Sequence, residues 1–78
     1  MLTARQLLDL YYLPMRQRVL SLAADLDRLQ TPADGAQVIQ NDPRMRELNR
    51  AIGILLETHP GRAQRVQELL SDTTPPPP

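Results

Sequence analysis

Few side chains in this sequence could do chemistry, and their spacing does not bring them together. There is one histidine, His59, with no cysteine and no lysine, and the serines are Ser21 and Ser71. A nucleophile activated by a neighbouring base would have to be built from His59 and a remote hydroxyl. His59 stands directly before Pro60, which biases it to extended backbone and suits it to a helix junction. Asp25 and Asp27 lie two residues apart in a helical stretch, hence about 200° apart around it, and cannot share one metal or one proton. One histidine and scattered carboxylates give no cluster at ligand spacing. The inventory points away from an enzyme, and no catalytic residue, cofactor, metal or small-molecule substrate is expected. Tyr11 and Tyr12 could form an aromatic platform, but their phase on the helix marks them as packing residues with a wet hydroxyl.

The basic residues are the other candidates. Nine arginines balance nine acids, so no overall field recruits nucleic acid, an anionic membrane or an acidic substrate. A nucleic-acid surface would rest on Arg44, Arg46 and Arg50, with Arg62 and Arg65 beyond a turn containing Gly61, which has the outline of a helix-turn-helix unit. Acids at Asp42, Glu47, Glu57 and Glu68 lie among these arginines, and a neutral chain gains little from counterion release. Nucleic acid is therefore the disfavoured partner. Residues 10–15, the longest uncharged apolar run, contain a proline and fall short of the roughly 18 residues a membrane span needs. Arg5 and Asp9 in a helical pattern argue against a secretory signal, so no membrane contact and a cytoplasmic location are expected.

Helices must position whatever acts here. Thr3 with Gln6 three residues later reads as a capping box. From there Leu8, Tyr12, Met15, Val19, Leu22, Leu26 and Leu29 alternate by four and three, a coiled-coil seam. The helix should run to about Gln30, where Thr31 and Pro32 stop it. Pro14 removes one backbone hydrogen bond and presses on the carbonyl of Leu10, so a kink is expected there. Residues 31–41 read as a loop with one helical turn through Val38 and Ile39, because Gly35 weakens a helix. Asp42 as N-cap and Pro43 at the first position open a second helix to about Glu57. Its stripe is Met45, Leu48, Ile52 and Leu55. After His59, Pro60 and Gly61, a last helix over residues 61–71 is expected to bury Ala63, Val66, Leu69 and Leu70.

The runs Leu10-Tyr11-Tyr12-Leu13, Leu22-Ala23-Ala24-Asp25-Leu26-Asp27-Arg28-Leu29 and Pro60-Gly61-Arg62-Ala63-Gln64-Arg65-Val66-Gln67-Glu68-Leu69 resemble a group of short, uncharacterised bacterial helical proteins. The resemblance implies no activity, cofactor or partner.

The resulting expectation is an all-α fold, a small antiparallel bundle of three main helices in one domain over residues 1–72. Residues 73–78 form a flexible polyproline tail. The first helix is long and kinked at Pro14, and dimerisation completes the bundle. A second apolar stripe on that helix, at Leu10, Leu13, Leu20 and Ala24, lies roughly 150° from the seam and marks the self-association surface. Arg44 and Arg46 stand where a helix dipole disfavours cations, and Asp25 and Asp27 where it disfavours anions. An antiparallel return would let an acid of the first helix meet Arg44, Arg46 or Arg50. The function read from this is a non-catalytic interaction or adaptor module that forms a homodimer and binds another protein. The alternative is a nucleic-acid-associated accessory protein.

Overall fold

The computed structural model describes residues 1–71, and among these it is all-α, with no strand. The helices are α1 (Ala4–Gln30), α2 (Gly35–Asn41), α3 (Pro43–Leu55) and α4 (Arg62–Leu70). The chain divides into two units, Met1–Ala36 and Gln37–Pro78. The proline-rich segment expected as a tail, residues 73–78, lies outside the described residues.

In the first unit, Thr3 takes extended backbone and closes a reciprocal cap on α1. Its hydroxyl accepts from the Gln6 N–H at 3.2 Å, and the Gln6 amide oxygen accepts from the Thr3 N–H at 2.8 Å. Two of the free donors at the helix start are thereby satisfied. α1 continues for 27 residues with Pro14 inside it, about 40 Å at 1.5 Å per residue. A proline that cannot donate leaves the Leu10 carbonyl without its usual partner, yet the turns on either side keep the helix in one piece. Its end is held by Thr31, whose hydroxyl donates to the Asp27 carbonyl at 2.9 Å and whose N–H donates to the Arg28 carbonyl at 3.4 Å.

The following turn is closed by the Gly35 N–H donating to the Pro32 carbonyl at 2.9 Å. Gly35 is buried. A Cβ there would stand 2.4 Å from the Leu29 carbonyl oxygen, and 2.7 and 2.8 Å from Cα and the carbonyl carbon of Gln30. Only glycine fits so close to another stretch of backbone. The expected loop with one helical turn is instead a seven-residue helix, α2. Gly35 does not weaken it, because it is the first residue, and nothing after it stops helix until the Asp42–Pro43 boundary.

In the second unit, Asp42 and Pro43 start α3 as their types predict. The Asp42 carboxylate accepts from the Arg44 N–H at 2.8 Å, and Pro43 occupies the first turn. α3 ends at Leu55, two residues before the expected limit, and α4 follows after a turn in which Gly61 is left-handed (φ 88°). α3 and α4 pack on each other. Met45 and Ala51 are buried, and Leu48, Ile52, Val66 and Leu69 are half-buried. Ala63 and Leu70, expected inside, are exposed. A nine-residue helix turns one narrow line toward its neighbour, here Arg62, Arg65, Val66 and Leu69. Ala63 and Leu70 each lie one residue further round from that line, about 100° off it.

A candidate interaction surface on the first helix

α1 has no buried residue. Within its unit a single helix and the turn after it offer nothing against which a long apolar face could pack. The seam residues Leu8, Tyr12, Met15, Val19 and Leu29 are exposed, and only Leu22 and Leu26 reach half-burial. The second stripe is as open: Leu10 is 60% exposed, Leu13 64% and Leu20 48%, with Ala24 half-buried. Both stripes assigned from spacing are therefore displayed, on two sides of one helix. A shallow, mainly apolar depression lined by Tyr12, Met15, Arg16, Val19 and Leu20 runs along the first of them. Tyr11 and Tyr12 are both 55% exposed, more open than packing residues in a finished core.

Of the charged residues singled out by the sequence, Asp25, Arg44 and Arg46 find local partners. Asp25 accepts from Arg28 Nη1 at 2.9 Å, one turn along α1. This pair places a cation in the last turn of α1 and offsets the acid beside it. At the start of α3, Arg44 grips Asp42 with Nε at 3.0 Å and Nη2 at 2.9 Å. The two-pronged contact and the backbone N–H of Arg44 hold the Asp42 carboxyl down to about 2. The cation in the first turn is thus neutralised by the cap itself. Arg46 donates to the Asn41 carbonyl at 2.8 Å, while Arg50 is exposed.

The junction between α3 and α4 holds an arrangement that spacing alone did not bring out. The Arg65 guanidinium donates to the Glu57 carboxylate and, at 3.0 Å, meets His59 Nε2. It also reaches the Gly61 carbonyl at 3.4 Å. Arg62 Nε donates to the Glu57 carbonyl at 2.9 Å. His59 Nε2 also lies 3.3 Å from the Glu57 carboxylate. His59 sits at the helix junction, as its position before Pro60 implies. With the carboxylate occupied by a cation, the group clasps the turn. The signal for it lay in Glu57 and two arginines placed either side of a His-Pro-Gly break.

Among the described residues no three of His, Cys, Asp or Glu are grouped to hold a metal, and no helix is long and apolar enough to cross a membrane. Nothing matches. Neither protein-family models nor curated proteins nor solved structures are similar to this chain.

Proposed function

We propose that this protein is a non-catalytic helical interaction module that works by self-association through α1. The observation that carries the reading is that 27 residues of helix, rich in leucine, bury none of them. Covering a leucine is worth about 1.5–3 kcal/mol, so two open stripes are a large unmet driving force in a chain this small. Two stripes roughly 150° apart need two covers. An antiparallel arrangement of α1, α3 and α4 would supply one, and a second copy of the chain would supply the other. A short chain without disulfides gains stability most readily in this way.

A nucleic-acid role draws less support. Of the five arginines it needs, Arg44 and Arg65 are paired with carboxylates, and Arg46 and Arg62 are spent on carbonyls. Phosphate binding would have to break those contacts or rely on Arg50 alone. The deciding experiment is sedimentation of the wild-type chain beside Leu13→Glu and Leu20→Glu. A dimer that both changes dissociate, with little dependence on salt, is expected. A monomer at about 100 μM, with both changes neutral in stability, would remove the proposal.

A further inference from the structure

The stripe of Leu10, Leu13, Leu20 and Ala24 contains a fifth residue of a different kind, Gln17. The five positions step by three and four, so they lie on one line along α1. Gln17 is exposed in the middle of that line, and Asp27, one step past Ala24, ends it. An apolar seam interrupted once by an amide is a pattern that distinguishes between ways of pairing.

We propose that this stripe pairs with the same stripe of a second copy, parallel and in register, and that Gln17 sets the orientation. The proposal rests on the self-association reading above. In a parallel pair each residue meets its own counterpart. Leucine then faces leucine at three levels and the small Ala24 faces Ala24. Gln17 faces Gln17, where each amide can both donate and accept. In an antiparallel pair the same layers place Leu10 against Leu20 and Leu13 against Gln17, so each buried amide faces a leucine and loses its partner. The flanking charges favour the same choice. Arg16 lies at the edge of the stripe near its centre, and an antiparallel axis there sets it against Arg16 of the second copy. In the parallel pair, Asp9 and Arg16 lie across from Pro14 and Ser21, five residues on, and no like charges are opposed. The stripe is complementary to itself, and two copies of a chain with zero formal charge approach without net repulsion.

The chain has no cysteine, so a single introduced thiol reports the arrangement. In a parallel pair, Ala24→Cys brings the two thiols to the same level, within the Cα separation of about 4.4–6.8 Å that a disulfide requires. In the antiparallel pair the two positions are about 27 Å apart along the axis. The expected result is a dimer by sedimentation and near-complete covalent dimer from Ala24→Cys under mild oxidation. A dimer in which Ala24→Cys stays uncoupled, while mixed Leu10→Cys and Leu20→Cys chains couple, would overturn the parallel arrangement and leave self-association standing. A monomer, including one that adsorbs to zwitterionic phospholipid vesicles, would overturn both. In the background of Gln17→Leu, association should tighten by about ten-fold or more, and the Ala24→Cys yield should fall to about half as both orientations form. An unchanged yield would show that Gln17 does not set the orientation.

Discussion

Replacing Gly35 by alanine tests the close approach at the end of α1. Carbon atoms pack at about 3.5–4.0 Å, so a methyl group placed 2.4–2.8 Å from three backbone atoms is short by about 1 Å at each. None of those atoms belongs to a flexible side chain, and the turn they form is pinned by both bonds from Thr31. Forcing an extra carbon into such a site costs about 1–3 kcal/mol, whereas alanine gains at most about 0.5–1 kcal/mol over glycine in a helix. The net effect should be a loss of about 1–2 kcal/mol, and for a chain of this size about 5–15 °C in melting temperature. Gly53→Ala is the matched control. No atom lies within 4 Å of its added carbon, so it should stabilise α3 by about 0.5–1 kcal/mol. Far-UV circular dichroism melts and urea titrations at one fixed protein concentration would read both, since association shifts midpoints with concentration. A Gly35→Ala chain melting at or above wild type, with Gly53→Ala stabilised as expected, would refute the close approach.

At Gly61, whose φ of 88° is left-handed, alanine should cost about 1–2 kcal/mol and asparagine distinctly less in the same melts. The lowered Asp42 carboxyl contributes stability that is fully present above the unfolded value near pH 4 and is lost as pH falls toward about 2. Asp42→Asn, which can still cap α3, should flatten the pH dependence of unfolding in that window. A double-mutant cycle on Glu57→Gln and Arg65→Met should give a coupling of no more than about 1 kcal/mol that weakens with salt, because both side chains remain partly open to water. Pro14→Ala restores a donor inside α1 and should raise both its helicity and its melting temperature; unchanged circular dichroism would show that the proline costs the helix nothing.

What could be read before the structure was local. Thr3 with Gln6, Thr31 before Pro32, and Asp42 before Pro43 each set a helix limit through neighbours in sequence, and each limit stands where those residues put it. The two stripes of α1 follow from periodicity in the same way. The features that escaped depend on residues meeting after the chain has turned. Gly35 is a weak helix residue by propensity, and only the closeness of Leu29 and Gln30 makes it a fitting one. The Arg65 clasp spans eight residues, beyond the reach of helical spacing rules. Ala63 and Leu70 are apolar by type, but the short α4 turns a line through Val66 and Leu69 toward α3.

The length of α1 and its built-in cap also separate two clocks. Everything that starts and stops this helix lies in its own residues and the threonine at each end, and helices of about 20 residues relax in roughly 0.1–1 μs. Under the proposed self-association, a second copy reaches the stripe of Leu10, Leu13 and Leu20 only by diffusion. At about 1 μM and an association rate constant near 10⁶ M⁻¹s⁻¹, that takes about a second. That stripe would therefore pass through a long interval, about a million helix relaxation times, in which it is formed and uncovered, and the local supply of partners would decide which one is met first.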